Sequence, residues 1–189
     1  GVVLGLSGGI DSAATLALSV SALGSDNVLG LIMPFKTSES IMLASNHAKN
    51  LGVKTIEYNI SDVVTSFKEV SNHYSSKAAE GNLHSRVRMS LLYGEAFSSN
   101  CLVIGTSNKS ELLVGYYTKW GDGASDFLPI GDLYKTQVYE ISKHLDVPSE
   151  IIGRPPTAEL WEGQTDEVEL GIDYATLDKI LLGLERQIS

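Results

Sequence analysis

Four short apolar runs alternate with longer stretches in which apolar residues return every three or four positions. The apolar runs are residues 2–6, 28–33, 53–58 and 101–105. The helical spacing recurs over residues 41–51, 83–91, 134–145 and 177–184. Short continuous runs are typical of buried strands, and the alternation places a helix after each strand. We therefore predict an α/β fold: a doubly wound, mainly parallel sheet with helices on both faces.

The chain shows no internal repeat, low-complexity tract or linker-like segment, so we expect residues 1–189 to form a single domain. A chain of this length buries roughly 70% of the surface that it exposes when unfolded, without help from a disulfide or a structural metal. In parallel sheets, ligands bind beyond the carboxyl ends of the strands. We therefore look for functional chemistry in the residues that follow each predicted strand.

Charge and composition limit the possible partners. The 23 Asp and Glu residues outnumber the 14 Lys and Arg residues, and the net charge of −9 argues against non-specific binding to nucleic acid. No apolar run reaches the roughly 18 residues of a membrane span, and no signal-peptide pattern is present, so we expect a cytoplasmic protein without a membrane partner. The single cysteine, Cys101, excludes an internal disulfide and fits a reducing compartment.

The first predicted strand leads directly into the string Ser-Gly-Gly-Ile-Asp-Ser, and a helical pattern follows. Gly8 and Gly9 allow a tight turn in which successive N–H groups face an anion at the positive end of the helix. Ser7 and Ser12 add hydroxyl donors, and Asp11 is placed to hold a Mg²⁺ that phosphates would share. The sequence thus predicts a phosphate site after the first strand.

A simpler interpretation of this loop is a plain strand-to-helix turn with Ser7 or Asp11 as the N-cap, although a cap explains only one side chain. The chain lacks both the lysine-containing P-loop motif and the dinucleotide glycine motif. The loop instead resembles the pyrophosphate loop of enzymes that cleave ATP to AMP and pyrophosphate. That superfamily includes NAD synthetase, GMP synthetase, asparagine synthetase and tRNA-modifying enzymes.

Later segments narrow the resemblance to NAD synthetase. They are residues 81–89, 105–111, 117–126, 129–136, 155–160 and 163–167. Together with the first loop, these ordered motifs carry a resemblance that runs from about residue 2 to residue 184. The resemblance implies a Rossmann-like fold of the adenine nucleotide alpha hydrolase type.

The resemblance also implies roles for individual residues. The implied ATP-binding residues are Gly5, Leu6, Ser7, Gly8, Gly9, Ile10, Asp11, Ser12, Met33, Thr106, Lys135 and Thr157. Deamido-NAD, which is nicotinic acid adenine dinucleotide, would contact Arg86, Lys119 and Asp126. Asp11 and Glu111 would bind Mg²⁺. Catalytic roles fall to Asp11, Lys135 and Asp122, the last near the incoming ammonia or a second Mg²⁺.

Residue chemistry alone leaves alternatives open at several of these positions. Arg86 could pair with a phosphate or carboxylate of a ligand, or form an ordinary surface ion pair. Arg88 lies about 200° further round the predicted helix, so the two arginines cannot both face one ligand. Glu111 could be a solvated helix residue, and Lys135 without the resemblance would be interpreted as a solvated charge. The glycine-rich loop around Asp122 could be a plain surface loop.

The activity that the resemblance implies is ATP-dependent amidation of deamido-NAD to NAD⁺. The reaction passes through an acyl-adenylate, with ammonia as nitrogen donor, ATP as cosubstrate, Mg²⁺ as the metal, and AMP and pyrophosphate as products. Members of the family are homodimers, so a homodimer is implied here as well. The alternatives are another pyrophosphate-loop enzyme, GMP synthetase-like or tRNA-modifying, and a nucleotide-binding sensor without catalysis.

The sequence departs from the family pattern in three places. It begins at the first predicted strand, without the helix that precedes this strand in the family. It contains no His-Lys pair like the one that the family uses near deamido-NAD. Ile32 stands before Met33-Pro34, where the family often has an ATP-binding arginine, and Lys36 is a candidate replacement.

Overall fold

A four-stranded parallel sheet, with the strand order β3-β2-β1-β4, forms the centre of the molecule. The computed structural model describes residues 1–157, 160–161 and 163–187. The strands are β1 Val2–Gly5, β2 Val28–Ile32, β3 Lys54–Glu57 and β4 Leu102–Ile104. Each strand lies within one of the four predicted apolar runs, so the predicted parallel α/β fold is confirmed.

Within the described ranges, nine α-helices accompany the sheet. They are α1 Ile10–Leu23, α2 Glu39–Asn50, α3 Ser61–Val70, α4 Lys77–Ser99, α5 Lys109–Val114, α6 Lys135–His144, α7 Ser149–Ile152, α8 Asp166–Leu170 and α9 Tyr174–Glu185. The four stretches with helical spacing correspond to α2, α4, α6 and α9. None of the helices in the described ranges is long and apolar enough to cross a bilayer.

Helices cover both faces of the sheet because alternate residues of each strand point to opposite sides. Val2 and Leu4 of β1 belong to a buried cluster with Leu16 of α1 and Ala48 of α2. Val3 points to the other face, where residues of α3 and α4 complete a second buried cluster. The predicted arrangement of helices on both faces is therefore confirmed.

The two edge strands are less buried than their apolar runs predicted. Lys54 and Glu57 at the ends of β3 are exposed, and Leu102 of β4 is 55% exposed. An edge strand has a neighbour on one side only, so its outer residues stay in contact with water. The expectation of continuous burial was therefore wrong for β3 and for the start of β4.

A short segment beyond the sheet partly covers the outer edge of β4. The backbone N–H of Asp126 donates to the carbonyl oxygen of Val103 (2.9 Å), and the N–H of Val103 donates to the Asp126 carboxylate (2.8 Å). Phe127 then forms a parallel bridge with Ile104. The Asp126 side chain thus takes the place of a backbone carbonyl in extending the sheet.

The strand order creates one topological switch point. The chain passes from β1 to β2 and β3 on one side, and it then returns to place β4 on the other side of β1. The carboxyl ends of β1 and β4 therefore lie side by side where the strand order reverses, which is where open parallel sheets bind ligands. Helix α1 follows β1 and helix α5 follows β4, so both helices begin at this point.

Candidate active site

The loop between β1 and α1 has a conformation that requires glycine. Gly8 has a φ of +83°, and a Cβ atom there would lie 2.2 Å from the carbonyl oxygen of Ser40. The hydroxyl of Ser7 accepts a hydrogen bond from Gly9 N (3.2 Å) and lies 3.1 Å from the hydroxyl of Ser12. Both serine hydroxyls are thus part of the loop itself.

No side chain of the described residues caps the start of helix α1. Its N-cap is Gly9, and Asp11 lies in the first turn of the helix. The interpretation of Ser7 or Asp11 as the N-cap therefore does not hold. Because no side chain caps it, this 14-residue helix presents amide donors and the positive end of its dipole to an anion.

Lys135, the first residue of α6, is buried next to the start of α1. Its side chain is 2% exposed, and its Nζ lies 2.5 Å from Asp11 Oδ2 and 3.3 Å from Glu111 Oε1. Asn108 donates from Nδ2 to the other carboxylate oxygen of Asp11 (3.0 Å). Residues from three distant parts of the sequence thus meet at one ammonium group. The interpretation of Lys135 as a solvated charge was wrong.

Burial and mutual charge set the protonation of this cluster. Burial, followed by the charge of Asp11, raises the pKa of Glu111, while the charge of Lys135 lowers it. Burial alone lowers the pKa of Lys135, but the charges of Asp11 and Glu111 outweigh it and raise that pKa above its usual value. The lysine therefore remains a cation between two carboxyl groups.

Glu111 is held by a capping box at the start of α5. Glu111 N donates to the Asn108 side chain (3.1 Å), and Asn108 N donates to Glu111 Oε2 (3.2 Å). One carboxylate oxygen of Glu111 is therefore used by the cap, and the other faces Lys135. The alternative of a solvated Glu111 is not what the structure shows, since its side chain is 14% exposed.

An aromatic ring lies against the Lys135 ammonium, and a buried carboxylate and a second tyrosine are hydrogen-bonded behind it. The ring centroid of Tyr174 lies 4.9 Å from Nζ, in a cation–π arrangement. The Tyr174 hydroxyl donates to one oxygen of the buried Asp166 (3.3 Å), and Tyr116 donates to the other (3.3 Å). Sequence reasoning assigned no role to these residues, although Asp166 lies in one of the motifs that carry the family resemblance.

The residues predicted to bind deamido-NAD lie mainly on a loop beside α4. Arg86 Nε donates to the carbonyl oxygen of Lys119 (3.3 Å), and Thr118 Oγ1 donates to Asn82 Oδ1 (2.7 Å). Asp122 accepts from Thr118 N (3.1 Å) and closes a turn in the same loop. The structure therefore brings Arg86, Lys119 and Asp122 together on one surface.

Asp126 forms hydrogen bonds with β4 and is not part of the turn closed by Asp122. Besides its hydrogen bonds with Val103, its carboxylate accepts from the Tyr93 hydroxyl (3.3 Å). Both carboxylate oxygens thus have partners within the chain.

The remaining predicted ATP-binding residues lie where strands end, except Thr157, which follows α7. Gly5 is the last residue of β1 and is followed by the buried Leu6, and Met33 follows β2. Thr106, two residues after β4, and Thr157 are both partly buried. Residues 158 and 159 of the motif that includes Thr157 lie outside the described residues.

Arg88 is a residue that the sequence reasoning missed. It donates from Nε to the carbonyl oxygen of Met33 (3.0 Å), whereas Arg86 of the same helix contacts Lys119. The two arginines therefore serve different segments, as their spacing predicted. A guanidinium group thus reaches the end of β2 from α4, although Ile32 occupies the position where the family often has an arginine.

The donor set at Asp11 and Glu111 fits a magnesium ion that is shared with a ligand. Both carboxylates contact the same nitrogen atom of Lys135, so they converge on one small volume. In the described part of the chain, no group of three or more His, Cys, Asp or Glu side chains could hold a metal by itself. Two carboxylates completed by phosphate oxygens and water suit Mg²⁺, which keeps several waters.

Comparison with known proteins identifies the family. All 189 residues match the family described as NAD synthase. The chain is 53% identical over 189 residues to an NH₃-dependent NAD⁺ synthetase from Archaeoglobus fulgidus, covering 98% of this chain and 76% of the relative.

Solved structures agree with the sequence matches. A structure named NMN synthetase from Francisella tularensis has a TM-score of 0.92 and 39% identity, covering 97% of this chain and 77% of the other. The structure of an NH₃-dependent NAD synthetase from Campylobacter jejuni has a TM-score of 0.84 and 38% identity. The match covers 99% of this chain and 75% of the other. The chain therefore belongs to the NAD synthase family, and the predicted family and enzyme class, ammonia-dependent NAD⁺ synthetase, are confirmed.

Proposed function

We propose that this chain converts deamido-NAD to NAD⁺ at the switch point between β1 and β4, using ATP and ammonia and releasing AMP and pyrophosphate. The observation that carries the proposal is the Lys135 ammonium held between Asp11 and Glu111, next to the uncapped start of α1. This site combines amide donors, hydroxyls, a buried cation and two carboxylates. Such a set suits a nucleotide triphosphate with its metal.

In the first step, the nicotinate carboxylate of deamido-NAD attacks the α-phosphorus of ATP. The bond from this phosphorus to the bridging oxygen breaks, and pyrophosphate leaves an acyl-adenylate behind. Negative charge grows on the departing pyrophosphate. The amides at the start of α1, the hydroxyls of Ser7 and Ser12 and the Lys135 ammonium are the groups that stabilise this charge.

In the second step, neutral ammonia attacks the acyl carbon, the bond to the AMP oxygen breaks, and one proton is released. We assign Asp122 to the surroundings of the ammonia, because its carboxylate is exposed and only one oxygen is used by the Thr118 turn. Arg86, Lys119 and Asp126 are assigned to deamido-NAD, and Met33, Thr106 and Thr157 to ATP. Holding two large substrates in reacting geometry is a major contribution to the rate.

Asp11 and Glu111 are the residues that would hold Mg²⁺. When bound, the metal neutralises phosphate charge and acts as a Lewis acid. Lys135 lies against both carboxylates, so it keeps them from repelling each other and orients them toward the phosphates.

We extend the proposal to a cytoplasmic homodimer built from a single domain of this chain. Large exposed apolar side chains near the end of α4 and along β4 support self-association: Phe97 of α4 is 90% exposed, Phe127 60% and Leu102 55%. Sedimentation of the purified chain over a range of concentrations tests this part. A monomer at all concentrations would contradict it.

The activity is tested by incubating the protein with deamido-NAD, ATP and ammonium, with and without Mg²⁺. We expect NAD⁺, AMP and pyrophosphate in equal amounts, and no NAD⁺ when ATP, ammonium or Mg²⁺ is left out. Nicotinic acid mononucleotide is included as a competing acceptor, because one structural neighbour is named for NMN. Pyrophosphate release driven by another acceptor, but not by deamido-NAD, would redirect the assignment to a different ligase. ATP binding without pyrophosphate release for any acceptor would indicate a sensor.

A further inference from the structure

The first turn of α6, which begins with Lys135, needs hydrogen-bond acceptors from outside the helix. The first N–H groups of any helix have no partner within it. The N-cap residue here is Tyr134, whose own N–H donates to the Gln137 side chain (2.9 Å), and among the described residues its side chain accepts no hydrogen bond from the first turn. The Tyr134 hydroxyl instead donates to Glu185 (2.9 Å). A tyrosine cannot replace the short Ser, Thr, Asn or Asp side chains that normally cap a helix.

Ser110 of α5 and Asp178 of α9 supply the missing acceptors. Lys135 N donates to Ser110 Oγ (2.9 Å), and Thr136 N donates to Asp178 Oδ2 (2.8 Å). Ser110 Oγ in turn donates to Asp178 Oδ1 (2.5 Å). Ser110 is fully buried and Asp178 is 5% exposed. A buried carboxylate is stabilised in this position because the positive end of the α6 dipole and two donors face it.

The same two helices also contribute groups around the Lys135 side chain. Ser110 is followed directly by Glu111, whose carboxylate contacts Nζ. Asp178 lies four residues after Tyr174, on the same face of α9, and the Tyr174 ring packs against Nζ. The hydrogen bonds among Ser110, Asp178 and the α6 backbone therefore set the distance from the start of α6 to both neighbours of the ammonium.

We propose that Asp178 and Ser110 are positioning residues that hold the Lys135 ammonium in reacting geometry without touching substrate. The inference rests on the catalytic role of Lys135 given under the proposed function. A cap made by residues from two other helices locks three helices together at the residue that must meet the phosphates. A displacement of about 1 Å at a reacting group lowers rates on the order of 10²-fold.

The main test is Asp178→Asn, which keeps the shape but removes the charge and one acceptor. We expect kcat to fall about 10- to 100-fold, while the KM for deamido-NAD changes less than about twofold. The matched control is Asp173→Ala. Asp173 caps the start of α9 itself by accepting from Thr176 N (2.9 Å), and it is exposed. This control is expected to lower the thermal midpoint while leaving kcat unchanged.

A second pair of variants covers the case in which Asp178→Asn does not fold. Ser110→Ala removes the hydroxyl that links Lys135 N to Asp178, and it should lower kcat in the same way. Ser142→Ala removes an equally buried hydroxyl of α6 that donates to the Val138 carbonyl within its own helix (2.7 Å). Equal kcat values for these two variants would overturn the proposal.

The decisive measurement repeats Asp178→Asn in a Lys135→Met background, with enzyme in excess over substrate. If Asp178 acts through Lys135, adding Asp178→Asn to Lys135→Met should lower the single-turnover rate less than about twofold. The reason is that the group positioned by Asp178 is already gone. The same fold-loss in both backgrounds would show that Asp178 acts only on the general structure, and it would overturn the proposal. Full activity of Lys135→Met alone would instead remove the catalytic role of Lys135 on which both proposals rest.

Discussion

Lys135 and Asp11 are 124 residues apart in the sequence and form a buried ion pair, with 2.5 Å between Nζ and Oδ2. The pair joins the first turn of α6 to the first turn of α1. Glu111 contacts the same ammonium from α5, so the cation lies where three helix starts meet. Removing one partner from such a cluster leaves uncompensated buried charge.

Lys135→Met should therefore damage both stability and catalysis. Loss of the ammonium leaves Asp11 and Glu111 facing each other, and we expect the free energy of unfolding to drop by about 3–5 kcal/mol. NAD⁺ formation should fall on the order of 10²–10³-fold, because the cation that we propose stabilises the leaving pyrophosphate is gone. Denaturant unfolding and the coupled NAD⁺ assay measure the two effects.

A lysine in an exposed ion pair provides the control for that change. Lys68 lies 2.9 Å from Glu80 and its side chain is 40% exposed. Lys68→Met should leave activity unchanged and alter stability by less than about 1 kcal/mol. If both lysine variants behave alike, the buried pair has no special role.

Gly8→Ala should disrupt the loop after β1 for two reasons. The positive φ disfavours any side chain, and the added Cβ would also clash with Ser40. Gly8 and Gly24 both have a positive φ, +83° and +78°. A Cβ at Gly8 would lie 2.2 Å from the Ser40 carbonyl oxygen, whereas no atom of the described residues lies within 4 Å of one at Gly24. Gly24→Ala should cost about 1–3 kcal/mol of stability from strain and retain ATP affinity.

Gly8→Ala should in addition weaken ATP binding at least about 10-fold in calorimetric titration, because the loop must move away from Ser40. Equal ATP affinities would rule out this effect.

Local pattern was sufficient to predict the strands and the loop after β1. Apolar runs and paired glycines report on the residues around them, so these features could be read without tertiary information. The exposure of β3 could not be predicted in this way, because a strand's position at the edge depends on the strand order of the whole sheet. The Asn108-x-x-Glu111 spacing is a capping-box signal that could have located the start of α5.

The burial of Lys135 could not be predicted from residue chemistry. A lysine at the start of an amphipathic helix is ordinarily solvated, and only carboxylates from two other helices make its burial tolerable. The Ser110–Asp178 hydrogen bond likewise joins residues 68 positions apart. Such contacts exist only in the folded chain, so they leave no local signal in the sequence.

Arg86→Ala and Arg88→Ala should affect different substrates, although both residues lie on α4. Arg86 contacts the loop that carries Lys119, so its loss should raise the KM for deamido-NAD about 10-fold or more while the KM for ATP stays unchanged. Arg88 contacts the carbonyl oxygen of Met33 at the end of β2, so its loss should mainly raise the KM for ATP. Initial rates with each substrate varied in turn test this prediction. Parallel effects of both variants on one substrate would contradict it.

His84 should make the protein less stable as the pH falls below about 6.5. The residue is 2% exposed, its ring centroid lies 4.3 Å from that of Phe35, and its Nε2 has no hydrogen-bond partner among the described residues. Burial, and then the charge of Arg88, lower the pKa of His84 from 6.5 to about 4, and Glu80 opposes this only in part. Between pH 6.5 and about pH 4, the unfolded chain therefore binds a proton at His84 that the folded chain does not bind.

Above pH 6.5, His84 is neutral in both states and does not lower the free energy of unfolding. As the pH falls below 6.5, the free energy of unfolding should decrease, and this decrease should stop near pH 4. The loss amounts to about 3 kcal/mol over this window, because the pKa falls from 6.5 to about 4 on folding. His84→Leu removes the titrating group, so the free energies of unfolding of the native chain and the variant should diverge by that amount between pH 7 and pH 4. Other acid-sensitive groups affect both proteins equally and cancel in the difference. Two curves that stay parallel over the window would mean that His84 takes up its proton as readily in the folded chain as in the unfolded chain, and hence that a cation is accommodated beside Phe35.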